Sequence, residues 1–157
     1  MHISAKADYA VRAAVHLASV SEGPTTAESI AAAQGISPKF LESILGTLRS
    51  SGLVRSQRGA HGGYWLSRPA DSITVADVLR AVDGPLASVR GQRPEDVHYA
   101  GTAERLPQVW IAARAAVREV LEVVTLADVA TGALPDVVVD RTTREGAWRS
   151  VVDGPRR

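Results

Sequence analysis

The chain has 157 residues, 45% hydrophobic and 22% charged, a globular composition with room for one domain or for a small head carrying an association element. It contains no cysteine, which excludes a disulfide framework, a thiolate zinc site, a thiolate-ligated iron-sulfur cluster and a cysteine nucleophile. Its net charge is only +1, so any grip on nucleic acid must come from locally placed cations rather than from a basic tail.

No window approaches the ~18 consecutive apolar residues of a membrane span, and Lys6, Asp8 and Arg12 interrupt the N-terminus where a signal peptide would be continuously apolar. The expected location is the cytoplasm, with no membrane partner. The four histidines, His2, His16, His61 and His98, lack the paired spacing of metal ligands, and no nucleophile and base, phosphate-cradling loop or carboxylate pair points to catalysis. No cofactor is expected.

In chain order, Ala7, Ala10, Val11, Ala14, Leu17 and Ala18 recur at steps of three and four, which predicts an amphipathic helix over 4–20. Thr25 with Glu28 three residues on is a capping-box pattern for a second helix from about Ala27 to Gln34, which Gly35 ends. Ser37-Pro38 opens a third, with Leu41, Ile44, Leu45 and Leu48 as its buried stripe. Two short helices joined by a tight glycine-containing turn are a helix-turn-helix. Residues 53–58 and 64–67 then read as strands around a glycine-rich turn, a hairpin placed as a wing, with Arg58 and His61 at its tip.

Thr74 caps a fourth helix carrying Val75, Val78, Leu79 and Val82, ended at Gly84-Pro85. Residues 86–102 have no clear period and read as loop. Beyond them Ala103, Leu106, Trp110, Ala113, Val117, Val120 and Val124 form a heptad-like seam that calls for a partner surface, on a helix that begins either near Ala103 or at Pro107. Trp110 is expected to pack within it. A short last helix runs from Leu126 to Ala130, and much of 133–157 is expected to be mobile.

Residues 1–85 resemble the bacterial Rrf2 family of winged helix-turn-helix regulators. The resemblance rests on Ala7-Asp8-Tyr9-Ala10, on Ile36-Ser37-Pro38-Lys39-Phe40-Leu41-Glu42 with Ile44-Leu45, on Gly52-Leu53-Val54, and on the wing from Arg58-Gly59-Ala60-His61-Gly62-Gly63-Tyr64-Trp65 to Arg68-Pro69. The helix at 103–124 is similar to that family's dimerisation helix, which extends the likeness to about residue 130. Cluster-binding members carry three cysteines in the stretch occupied here by residues 88–105; this chain has none, and Asp8, which stands where some members offer an acidic ligand, cannot hold a cluster alone.

The expected fold is therefore mainly α with a small β-hairpin: a winged helix-turn-helix head over 1–85, a loop over 86–102, a dimerisation helix and short final helix over 103–132, and a tail over 133–157. The expected function is that of a homodimeric regulator, a repressor, on a pseudo-palindromic site in double-stranded DNA. Ser37, Lys39, Phe40, Glu42, Ser43, Thr47, Arg58 and His61 are the candidate DNA contacts, and Leu106, Trp110, Ala113, Val117, Val120 and Val124 the candidate dimer contacts. For 86–102, a plain connector and an effector pocket for a small molecule or protein, using Arg90, Arg93, His98 and Tyr99, stand equal. A rival reading from another class is a winged helix that binds a metabolic enzyme or assembly partner.

Overall fold

Among residues 2–149, which the computed structural model describes, seven helices and one hairpin follow each other along the chain. Helix α1 (Ala5–Ser19) is capped by Ser4, whose hydroxyl accepts the Ala7 N–H, and it buries Ala7, Ala10, Ala13, Ala14 and Leu17. Four alanines on one face let neighbouring backbones come close, and α1 lies at the centre of the head, packed on α3, α4 and α6.

Helix α2 (Ala27–Gln34) spans the expected residues, but its cap is the second threonine of the pair and not the first. Thr26 is the N-cap, accepting from Ser29 N–H, because the Thr25 backbone is already spent on the wing: Thr25 and Tyr64 exchange N–H···O bonds of 2.9 and 2.8 Å. Gly35 takes the left-handed conformation (φ 62°) that turns the chain into α3 (Pro38–Ser50). Leu41, Ile44, Leu45 and Leu48 are fully buried with Ile30, Ile73, Val78 and Leu126. At about 1.5–3 kcal/mol for each large apolar side chain removed from water, this one stripe fixes the rotation of α3 about its axis.

Strands β1 (Val54–Gln57) and β2 (Gly63–Leu66) pair antiparallel, Val54 opposite Leu66 and Gln57 opposite Gly63. The glycines at the base of the turn are sterically required: a Cβ on Gly62 would lie 2.2 Å from the Gln57 carbonyl oxygen, and one on Gly63 would lie 2.7 Å from that of Thr25. Helix α4 (Val75–Asp83) opens on a capping box between Thr74 and Asp77.

The 85–105 stretch lacks long elements yet is well anchored. Pro94 and Val97 are buried, Val89 and Gln92 pair across a tight turn that puts Arg90 at φ 53°, and two single 3₁₀ turns follow at Pro94–Asp96 and Gly101–Ala103. Helix α5 (Leu106–Leu121) is shorter than the seam implies. Pro107 pins its start, and its far end is pulled straight because Val75 N–H bonds to Val124 O and Leu126 N–H to Ile73 O, both at 2.9 Å. Ala103 therefore precedes the helix and Val124 follows it. Helix α6 (Leu126–Thr131), with its own Thr125–Asp128 capping box, plugs Leu126 into the core of the head.

Part of the stretch expected to be mobile is structured. Asp136–Thr142 form α7, which includes the Val137-Val138-Val139 run; Arg141 reaches back to Glu119 of α5 (2.7 Å), and the Trp148 indole N–H donates to Thr142 O (2.8 Å). These ties to α5 order a segment whose own composition gives no amphipathic period. The final residues of the expected tail, 150–157, lie outside the described ones. No helix among the described residues is long and apolar enough to cross a membrane.

Candidate nucleic-acid interface

With the Leu41–Leu48 stripe inward, the 100° step per residue sends Lys39, Ser43, Gly46 and Ser50 to the opposite side of α3, with Glu42 and Arg49 on one flank and Phe40 and Thr47 on the other. Lys39, Glu42 and Ser43 are exposed, and Thr47 is half-buried with its hydroxyl donating to Ser43 O. Ser37 occupies the N-cap position but makes no side-chain cap, so its hydroxyl and the first-turn N–H groups of α3 face solvent. That is a local concentration of donors with a partial positive charge.

Phe40 behaves differently from the other candidates on α3. Its ring, 37% exposed, meets Tyr9 of α1 edge-on at 5.7 Å. Arg12 lies 5.2 Å over the other partner of that pair, Tyr9, while bonding to Gln34 O at the end of α2 and pairing with Asp8 at 3.6 Å. One cluster thus joins the first three helices of the head. Arg49 ties the end of α3 to the wing through Ser56 Oγ (3.2 Å). At the wing tip Arg58 and His61 are exposed and, among the described residues, make no ion pair. Arg55, exposed on β1, is a further cation on the hairpin.

The other candidates are spread over two places. On α5, Leu106, Val117 and Val120 are half-buried against the chain's own body and Val124 is buried at 6%. Trp110, expected to pack in the seam, is 36% exposed and lines a cavity under the 85–94 segment. The apolar line that faces outward is rotated from the seam and runs through Val109 (55% exposed), Ala112 and Ala116. Plotting every α5 residue on a helical wheel reveals this second line, which a count of heptad spacings passes over.

In the loop, Arg90 stacks on Tyr99 at 5.7 Å, and His98 Nδ1 lies 3.1 Å from Asp96 O. Arg93 lines a depression together with Arg80, Arg114 and Arg118. Arg90, His98 and Tyr99 hold the loop's own shape. The four, offered as pocket candidates on the length and polarity of the loop, are not brought together at one place.

The sequence profile of the Rrf2 family, described as iron-dependent transcriptional regulators, matches residues 3–132. The chain belongs to the Rrf2 family. Among Rrf2 relatives, the HTH-type transcriptional regulator Rv1287 of Mycobacterium tuberculosis is 52% identical over 158 residues, covering 95% of this chain and 98% of that protein. CymR of Bacillus subtilis is 40% identical over 132 residues, covering 83% and 91%. The solved structure of that CymR, the global cysteine regulator, superposes with a TM-score of 0.72 at 39% identity over 84% of this chain and 98% of its own. IscR of T. potens gives 0.67 at 35% identity over 85% and 88%.

The winged helix-turn-helix architecture and the role of a DNA-binding transcriptional regulator, rather than an enzyme, are thereby shared with this family. Its iron is another matter. An iron-sulfur cluster needs thiolates, and the chain has no cysteine. Among the described residues no group of three or more His, Asp or Glu converges as an alternative ligand set. The donor set does not fit the metal, and no step of the function is derived through it.

Proposed function

We propose that the chain works as a homodimeric repressor that places α3 of each protomer in a major groove of a pseudo-palindromic operator and lays its wing along the adjacent backbone. The observation that carries this reading is the outward line Lys39–Ser43–Gly46 of α3, flanked by Glu42 and set beside a wing whose arginine is free of ion pairs among the described residues. Lys39 and Arg58 neutralise phosphates, Ser37 and the open α3 N-terminus accept a phosphate oxygen by donating to it, and Glu42 and Ser43 meet base edges, the carboxylate accepting from a cytosine amino group. Phe40 positions α3 through Tyr9, and His61 and Thr47 stand at the margin of the footprint.

The head in this reading comprises residues 1–85 together with α6, since Leu126 completes its core. The outward line Val109–Ala112–Ala116 supports pairing along α5, whose small residues let two helices approach closely. A dimer reads half-sites about one helical turn, ~34 Å, apart or a multiple of it. Nothing beyond a DNA head and a pairing surface is required to occlude a promoter, and the signal is something other than a cluster. Hydroxyl-radical footprinting on the promoter of its own gene tests the reading. Two protected half-sites on one face of the duplex are expected, and a single protected patch or no protection would count against it.

A further inference from the structure

Between the 83–94 segment and α5 lies a cavity of about 580 Å³, within the ~300–1,000 Å³ range of small-molecule sites. Leu86, Val89 and Pro94 form one wall and Trp110, Ala113 and Val117 the other. The loop side is held in place by the buried Pro94 and Val97 and by the turn at Val89–Gln92, so the space exists before any ligand arrives. A tryptophan left 36% exposed at its wall is large apolar surface with no partner in this chain.

The cavity's own lining carries Arg114, Asp83 and His2, and cations outnumber carboxylates only when the adjoining depression is counted with it. Arg114 lines both the cavity and a neighbouring depression of about 510 Å³ that adds Arg80, Arg93 and Arg118. Against these four guanidinium groups stand Glu95, held by Arg114 at 2.6 Å, and Glu122, shared by Arg80 and Arg118. Asp83 at the rim is engaged by Ser4 Oγ at 2.8 Å. Arg114 uses only Nη1 in its bond to Glu95, and its remaining N–H groups have no partner among the described residues. A guanidinium offers five donors in a fork that takes a carboxylate bidentately, so it can hold a second carboxylate beside Glu95.

We propose that this cavity binds a small, largely apolar monocarboxylate, its hydrocarbon body against Trp110 and Val89 and its carboxylate on Arg114. The apolar walls select the body, and the unspent N–H donors of Arg114 select an anion over a neutral or cationic head. The inference rests on the regulator reading only in treating the bound acid as a signal; the binding itself stands or falls without DNA.

The test is thermal melting and titration calorimetry of the full chain, with no DNA present, using 3-phenylpropionate and octanoate as probes and 3-phenylpropionamide as the uncharged match. An acid should raise Tm by about 3 °C when present at about tenfold its Kd, and the amide should bind at least tenfold more weakly. Arg114→Gln should weaken the acid at least tenfold, Arg114→Lys should recover part of the loss, and Leu86→Trp, which narrows the cavity from the loop side, should weaken binding at least tenfold while leaving the circular dichroism spectrum unchanged. Should Arg114→Gln fail to fold, Leu86→Trp carries the comparison. Absence of a shift with both acids, equal binding of acid and amide, or acid binding undiminished by Leu86→Trp overturns the proposal; the first would leave Trp110 to be covered by a second copy of the chain, the second would remove Arg114 as the group that selects the head, and the third would place the acid elsewhere.

Discussion

The rings of Tyr9 on α1 and Phe40 on α3 meet edge to face, centroids 5.7 Å apart and planes at 83°. Arg12 stacks on the same Tyr9 and bonds to the last turn of α2, so the angle at which α3 leaves the head is set at one three-helix junction. Such aromatic pairs contribute about 0.5–1.5 kcal/mol beyond their buried area. Tyr9→Leu and Phe40→Leu should therefore lower operator affinity by a similar factor, and the double-mutant cycle should show coupling of about 0.5–1.5 kcal/mol in stability. If Phe40→Leu alone weakened DNA binding, Phe40 would be touching DNA directly instead of aiming the helix.

Gly46 sits mid-helix on the outward side of α3, where an added Cβ would meet nothing within 4 Å and its φ is not left-handed. Nothing in the folded chain requires a glycine there, and glycine costs about 1 kcal/mol relative to alanine in a helix interior. In the proposed docking this position faces DNA, where the missing side chain lets the helix backbone approach closely. Gly46→Ala should raise unfolding stability by up to about 1 kcal/mol while weakening operator binding, by about 1–2 kcal/mol or roughly tenfold. Urea unfolding and anisotropy titration on the same preparation check both signs; a stabilised variant with undiminished affinity would show that DNA does not approach this position.

The architecture was largely legible from residue order because its signals are local. The 3–4 spacing of Leu41, Ile44, Leu45 and Leu48, the Ser37-Pro38 start and the glycines of the wing each specify their element with little outside help. What required the structure was long-range. Thr25 is a plausible cap until Tyr64 claims its backbone. Val124 belongs to a heptad pattern until Ile73 and Val75 draw its strand into a bridge. Trp110 fits a seam equally well whether it faces a partner or a cavity, because spacing fixes a helix face but not its neighbour. The loop arginines illustrate the same limit, since Arg90 and Tyr99 find each other across nine positions that have no period.

The wing separates a steric from an electrostatic role. Arg58→Ala should lower the slope of log affinity against log salt by about one unit and reduce binding to any duplex alike. Gly62→Ala should act through shape, since its Cβ would lie 2.2 Å from Gln57 O; the hairpin must open, with loss of affinity at all salt concentrations. Titrations from 50 to 200 mM salt distinguish them, and an unchanged slope for Arg58→Ala would remove that residue from the interface.

Pairing along α5 predicts two different failures. Ala116 is exposed and Val124 is 6% exposed. Ala116→Arg should give a folded monomer by sedimentation, whereas Val124→Arg should unfold the head by leaving a charge unpaired in its interior. A wild-type monomer at micromolar concentration, or a dimeric Ala116→Arg, would contradict the proposed face.

Glu122 joins α4 to α5 by accepting from Arg80 and from Arg118 Nε at 2.8 Å. These two hydrogen bonds, Arg80 first, hold its carboxyl below the ordinary carboxylate value of 4.5. A depressed folded pKa means the contribution is intact above 4.5 and fades as pH falls through the lower folded value. Glu122→Gln should flatten the loss of stability below that pH in melting curves, and an unaltered acid limb would assign the acid sensitivity to other groups.

The most direct measurement is the ratio of affinities for the promoter duplex of its own gene and for a scrambled duplex of equal length, titrated at one stated salt concentration with wild type and Glu42→Ala. Reading of bases by α3 predicts a wild-type ratio of at least about 10³, reduced in Glu42→Ala by roughly 1–3 kcal/mol of discrimination while binding to the scrambled duplex is kept or strengthened by loss of a carboxylate facing phosphates. A wild-type ratio near one would contradict the account at its centre, because a winged helix docked on DNA without preference is not reading an operator.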